Sequence, residues 1–233
     1  MAKYFIDTEF IEGFHKPLFG KKRHFIDLIS IGIICEDGRT YYAVSNEFNP
    51  KDADKWVKDN VISKLPERVN LIDPSVSPRL KHEALAWRSN TQIKKDLLEF
   101  FGYAYQEDDF GSSCLCASDH DIQIYAYYAD YDWVVFCSIF GRMIDLPFEM
   151  PMYCRDIKQM FDEAANKKDW HYGRDIWANR KGELQEKDRP ATLREKIEKL
   201  KSHHDYPCQK DEHNALDDAR WNMRLHKFIT NFY

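Results

Sequence analysis

Long uncharged apolar runs are missing from this chain. The most apolar stretch, residues 122–140, is interrupted by Asp130 and Asp132, so no segment has the length that a bilayer-spanning helix needs. A secretory leader is missing too: Met1 runs almost directly into a strand-like pattern, with no apolar segment ending in a small-residue cleavage site. A cytoplasmic location without membrane contact is therefore expected. There is no basic excess, since 34 Lys and Arg face 39 Asp and Glu for a net charge of −5. That balance excludes broad electrostatic coating of long duplex nucleic acid, but leaves room for a short single strand held at a local site. The six cysteines lack a good zinc spacing. Cys114, Cys116 and His120 could begin a site, but Cys-x-Cys fits poorly and no second Cys/His pair follows. Buried, reduced thiols are the expectation. Internal repeats and low-complexity segments are absent as well, which excludes a repeat architecture.

What remains is a globular balance. Of 233 residues, 43 % are apolar and 31 % charged, enough for one elaborated domain with a sizeable core. The aromatic share of 15 % must fill that core or stack on something flat. Strand patterns cover residues 4–9, 24–35 and 41–46, the last two joined by the turn signal Asp37-Gly38 as an antiparallel hairpin. Residues 13–23 read as a loop whose basic end, Lys21-Lys22-Arg23, could meet phosphate. Helical spacing predicts helices over 50–65 and 91–105, the latter capped by Ser89 or Asn90, with an irregular stretch at 66–86. An acidic loop at 108–121 precedes a buried strand at 122–128 and a helix at 133–143. A short strand at 152–155, a helix to 165, a surface excursion at 166–189 and helices over 192–201 and 212–232 complete the order. Strands followed by alternating helices and strands predict an α/β domain with a mixed sheet.

Three acidic motifs stand out. Asp7 and Glu9 are two apart on a strand, so both point to one face, and a divalent cation would relieve their repulsion. Asp130 and Asp132 sit where a buried strand hands over to a helix, the place where α/β sites are built; one of the two could instead cap the helix. On the last helix, a turn of roughly 100° per residue separates Asp217 from Asp218 and puts Asp218 on the face with Ala215, Leu225 and Ile229. An acid on an apolar face is costly unless paired or metal-bound, which selects Asp218. His213 near that helix start could be a cap or an ordinary surface histidine; only the neighbouring acids point to a role in the site. Phe10 and Ile11 could wedge or stack a terminal base, or simply pack in the core. Arg88 could touch phosphate or sugar, or be a surface cation beside a helix cap.

Taken together, acid-x-acid on the first strand, an acid after a later strand and His-x-Ala-x-x-Asp-Ala on a C-terminal helix resemble the DEDDh 3′–5′ exonuclease superfamily. The likeness to the bacterial polyadenylate-specific exoribonucleases of mycobacterial type is closer. It runs through residues 4–12, 28–33 and 36–45, Trp87-Arg88-Ser89, Tyr131-Asp132 and residues 213–220. The resemblance implies a ribonuclease H-like α/β fold, with a mixed central sheet of about five strands flanked by helices. It implies Asp7, Glu9, Asp132 and Asp218 as ligands of two divalent cations, Mg2+ or Mn2+, and His213 as general base. It favours Asp132 over Asp130, because the motif ends in aromatic-Asp. Thr8, Phe10, Ile11 and Arg88 become the candidate substrate contacts, and the partner is a single-stranded nucleic-acid 3′ end, RNA preferred, that yields nucleoside 5′-monophosphates. A homodimer is among the assemblies open to it. Extra length at about 13–23, 73–84, 108–121 and 166–189 departs from that family, as does Tyr128 where many superfamily members have asparagine. A DNA-directed exonuclease, a phosphoesterase acting on nucleotides and a catalytically silent nucleic-acid-binding module of the same fold stay open as alternatives.

Overall fold

The computed structural model describes residues 2–15, 17, 19–107, 113–117, 121–167, 171–178 and 184–231. It opens with two long strands, β1 (Ala2–His15) and β2 (Arg23–Cys35), followed by β3 (Thr40–Ser45). The tight turn between β2 and β3 uses Gly38 at φ 97°, a left-handed conformation that suits glycine. Helices α1 (Lys55–Asn60) and α2 (Pro78–Ala84), strand β4 (Trp87–Arg88) and helix α3 (Asn90–Phe100) come next. The hairpin β5 (Tyr103–Glu107) and β6 (Ser113–Ala117) leads to β7 (Ile122–Ala126) and α4 (Ala129–Phe140). Then follow β8 (Arg155–Asp156), α5 (Ile157–Lys167), the hairpin β9 (His171–Ala178) and β10 (Leu184–Pro190), α6 (Leu193–Lys201) and α7 (Ala215–Asn231).

The central sheet is mixed, six strands in the order β4-β3-β2-β1-β7-β8. β1 with β2, and β2 with β3, pair antiparallel, whereas β7 joins β1, β8 joins β7 and β4 joins β3 in parallel. Six strands replace the expected five because two-residue strands, β4 and β8, finish both edges. This is the ribonuclease H-like α/β arrangement that the resemblance implied.

Both faces of the sheet are covered, which explains why its strands read as nearly continuous apolar runs rather than alternating ones. Tyr4, Ile6, Ile31, Ile33 and Ile124 pack against Ile93, Leu97 and Phe101 at α3 and Phe136 of α4. On the other face Phe5, Ile34 and Tyr125 pack against Phe161 of α5 and Leu225 and Ile229 of α7. The side chain of Asn222 on α7 donates to the Ile6 carbonyl at 2.9 Å, pinning α7 to β1. α7 also lies very close over β2. A Cβ placed on Gly32 would come within 2.3 Å of the Ala215 backbone, so only glycine fits there.

Several expectations needed correction. The loop expected at 13–23 is shorter: β1 and β2 stay paired out to His15 and Arg23, and of the residues between them the described ones, 17 and 19–22, are non-strand. The helix expected over 50–65 shortens to α1 and a 3-10 turn at Ile62–Lys64, while the stretch expected to be irregular contains α2, capped by Ser77. The helix expected to reach 105 stops at Phe100; its N-cap is Ser89. β5 takes the place of that helix's expected end and pairs with β6, which lies within the expected acidic loop, while β9 and β10 form a hairpin in the expected surface excursion. Cys114 and Cys116 lie on β6, and His120 is outside the described residues. Among the described residues, no helix is long and apolar enough to cross a membrane.

Candidate active site

The acids converge at the β1 end of the cleft between α4 and α7. Alternation along β1 sends Asp7 and Glu9 to the same side as Phe5, toward α7. The register then shifts between Glu9 and Phe10: Glu9 pairs with Ser30 but Phe10 with Leu28, a bulge that re-aims the side chains after the acids. Asp132 stands in the first turn of α4, just beyond the end of β7, and is 6 % exposed. Its Oδ1 accepts the Thr8 backbone N–H and the Thr8 hydroxyl, both at 2.7 Å. Asp218 on α7 is 7 % exposed. The Gln209 side chain donates to its Oδ1 and the His213 backbone N–H to its Oδ2, each at 2.7 Å.

Asp130 is exposed and Asp217 is paired with Arg220 at 2.7 Å, so neither neighbour competes for the cleft. Neither Asp130 nor Asp132 caps α4. Its first N–H, from Ala129, is accepted by Asp156 of β8, and its N-cap position is Tyr128 in a left-handed conformation at φ 57°. His213 is left-handed too, at φ 66°. Such backbone is costly for residues with a Cβ and gathers at functional sites; of the four described non-glycine residues that adopt it, these two line the cleft. Asn214 accepts the Leu216 and Asp217 N–H groups and so caps α7, leaving the His213 ring to the site. Trp56 holds that ring edge-on, with centroids 4.8 Å apart. The ligand atoms of His213, Glu9 and Asp218 all lie within 4.8 Å of one another.

Four carboxylates this close make each other harder to ionise. Burial raises the Asp7 carboxyl well above the usual range, and the charges of Asp132, Glu9 and Asp218 add to it. Burial also lifts Glu9 to about 8, reinforced by Asp218 and Asp132 and opposed by Lys64. Asp132 rises to about 7 through burial, despite the two Thr8 bonds that favour its charged form. Asp218 is raised by burial and held back by its Gln209 and His213 bonds. No Lys or Arg is among the described residues lining the cleft. All-oxygen donors in this number suit hard divalent cations, so the residues present fit Mg2+ or Mn2+.

The cleft encloses about 340 Å³. One wall is aromatic: Tyr127, Tyr128 and Trp221, with Phe10 and Tyr131 stacked on each other at 5.5 Å and 5°. Phe10 is thus in the cleft, but two expected substrate contacts are elsewhere. Ile11 is 1 % exposed and packs with Phe48 and Val61 in a separate core cluster, on the strand face opposite Phe10. Arg88, on the edge strand β4, is ion-paired with Asp96 at 3.6 Å and does not line the cleft. Thr8 lines it, yet its hydroxyl is turned to Asp132. Residues that sequence reasoning missed are Gln209, Asn222, Trp56 and the Tyr127/Trp221 wall. Only the aromatic-Asp pair Tyr131-Asp132 carried any hint of that wall.

A mixed six-stranded sheet flanked by helices, with acids from its first strand, a crossover helix and the last helix meeting in one cleft, defines a ribonuclease H-like domain with an acidic site. Comparison with known proteins narrows the class. The chain belongs to the Rv2179c-like 3′-5′ exoribonuclease domain family, whose model matches residues 2–230. It is 36 % identical over 163 residues to the 3′-5′ exoribonuclease Rv2179c of Mycobacterium tuberculosis strain H37Rv, covering 70 % of this chain and 76 % of that protein. The 3′-5′ exoribonuclease MT2234.1 of strain CDC 1551 is equally similar.

Proposed function

We propose that this protein is a two-cation 3′–5′ exoribonuclease that releases nucleoside 5′-monophosphates from single-stranded 3′ ends. One observation carries the reading: Asp7, Glu9, Asp132 and Asp218 crowd into a cleft with no Lys or Arg among its described lining residues, so their charge calls for a divalent counterion. These four carboxylates would hold two cations, Mg2+ or Mn2+. Bound there, the cations supply positive charge to the scissile phosphate and acidity to the attacking water.

The remaining work falls to the chain's own groups. His213 accepts the proton of that water and orients it, with Trp56 limiting the tilt of the imidazole. Thr8 and Gln209 fix the rotation of the Asp132 and Asp218 carboxylates, so that ligand geometry does not have to be bought at each turnover. The stacked pair Phe10 and Tyr131 offers an aromatic surface for the terminal base. RNA is the substrate by the relatives' activity, and a silent binding module has no reason to gather carboxylates where phosphate must come.

A time course on matched RNA and DNA oligonucleotides, with Mg2+, Mn2+ or chelator, tests this. Stepwise shortening of the RNA from its 3′ end with release of 5′-monophosphates, abolished by chelator, is expected. Untouched RNA in the presence of metal, or equal cleavage of DNA, overturns the reading in whole or in its choice of sugar.

A further inference from the structure

The far half of the β1–β2 hairpin is an arm. β7 pairs with β1 only over Ala2 to Phe5, and β3 pairs with β2 only over Ser30 to Ile34. From Phe10 to His15 and from Arg23 to Leu28 the two strands therefore pair with each other alone. Chemically, this arm differs from the rest of the chain. Between Glu12 and Asp27 the sequence has four Lys or Arg residues and no acid, in a protein whose net charge is −5. Lys21, Lys22 and Arg23 are exposed at the tip. Phe14 and Phe19, 62 % and 90 % exposed, stand there with them.

The arm also continues the cleft. Phe10, Glu12 and Phe14 alternate onto one face of β1. Phe10 is stacked on Tyr131 in the cleft, and the Tyr131 hydroxyl is 3.5 Å from Glu12. Further out, Phe14 meets the His24 ring at 5.4 Å, and Glu12, the one acid on this path, is engaged by His24 at 2.7 Å. From Glu9 to His15 the strand advances about 20 Å, or about six nucleotides at stacked spacing.

We propose that this arm binds the substrate's upstream single strand, with Lys21, Lys22 and Arg23 meeting its phosphates and Phe14 and Phe19 stacking on its bases. The inference rests on the nuclease reading above and adds where the polymer lies. Interleaved cations and exposed rings are the chemistry that holds single-stranded nucleic acid without sequence preference. The arm also reconciles an acidic protein with a polyanionic substrate: attraction is concentrated about 20 Å from the carboxylates, beyond the Debye length at physiological salt. It follows that chain length, rather than the terminal nucleotide, sets affinity.

The test compares two RNA substrates, a trinucleotide too short to reach the tip and a twelve-nucleotide strand, on the parent protein and on K21A/K22A/R23A. The substituted side chains are exposed, so folding is preserved; Phe19→Ser serves as an independent second variant. On the trinucleotide, kcat/KM should change by less than about twofold, because nothing in the cleft is altered. On the longer strand, kcat/KM at low salt should fall at least about tenfold, and the slope of log affinity against log salt should shrink by about 2, from three contacts at about 0.7 each. An equal effect on both lengths, or none on the longer strand, overturns the proposal. So does loss of self-association in the variants with unchanged RNA kinetics, which would make the arm a contact between copies of this chain. The parent's cleavage of the trinucleotide reports on the nuclease reading itself: activity there with no length-dependent loss sinks only the arm, and no activity on either substrate sinks both.

Discussion

Thr8 donates twice to a single atom, its backbone N–H and its hydroxyl both meeting Oδ1 of Asp132 at 2.7 Å across 124 residues of sequence. The contact joins the two motifs on which the site depends, β1 and the start of α4. It also makes Thr8 a positioning residue for Asp132. Thr8→Val keeps the side-chain shape and the backbone bond and removes only the hydroxyl. It should lower activity about 10- to 100-fold through weaker cation binding, and stability by about 1 kcal/mol. Manganese titration and thermal unfolding measure the two effects; a variant that binds manganese like the parent would rule out the positioning role.

The adjacent aspartates of α7 should behave as opposites. Asp218 faces the cleft and Asp217 pairs with Arg220 on the outside. Asp218→Asn should cost more than about a hundredfold in turnover, exceeding the loss typical of groups that merely support a ligand. Asp217→Asn should leave turnover intact and cost at most about 1 kcal/mol of stability, as surface ion pairs do. Single-turnover rates on RNA decide it, and the reverse ranking contradicts the facing of the helix.

His213 sits close enough to Glu9 and Asp218 to share a cation with them, whereas the proposed role as base requires it to stay free for protons. His213→Ala should reduce kcat by about 10²- to 10⁴-fold with cation affinity unchanged. A parallel collapse of manganese binding would identify the imidazole as a ligand instead.

The crowded carboxylates make stability depend on pH in a definite direction. Glu9 moves from an ordinary 4.5 up to about 8, and Asp7, Asp132 and Asp218 shift the same way. The folded protein thus holds more protons than the unfolded chain between those limits, so its stability falls as pH rises through that window. In chelator, the melting temperature should drop from pH 5 to pH 8; Glu9→Gln should flatten the slope, and saturating Mg2+ should remove most of it, because cations replace the protons. A melting temperature that climbs over this range in chelator would refute the electrostatic description of the cleft.

Gly32 is opposite Asp7 in the β1–β2 register and directly beneath the first turn of α7. Gly32→Ala must push α7 outward, since the new methyl would meet the Ala215 backbone at 2.3 Å. Overpacking of this kind costs about 1–3 kcal/mol. Activity should fall further than stability accounts for, because Asp218 moves with the helix. Melting temperature and kcat measured together expose the difference; a fully active, merely less stable variant would show that the site tolerates the shift.

Much of this molecule follows from local pattern. Alternation on a strand puts Asp7 and Glu9 on one side, and the helical turn separates Asp218 from Asp217. Those arguments need only the 2-residue and 3.6-residue periods of the backbone, which tertiary contacts seldom override in a buried sheet and its packed helices. The bipartite character of residues 13–23 was half visible: the cations were evident, but the strand pairing that makes them an arm was not, because glycine and proline there read as a loop.

Other features had no local signature. That Thr8 serves Asp132 and that Trp56 backs His213 depend on groups far apart in sequence, while which of Phe10 and Ile11 faces the cleft, and whether Gln209 reaches Asp218, depend on what packs around them. Periodicity along the chain determined which side chains point together; only the packing of β1, α4 and α7 decided which of them meet, because contact across elements is set by register and helix placement rather than by any one segment's composition.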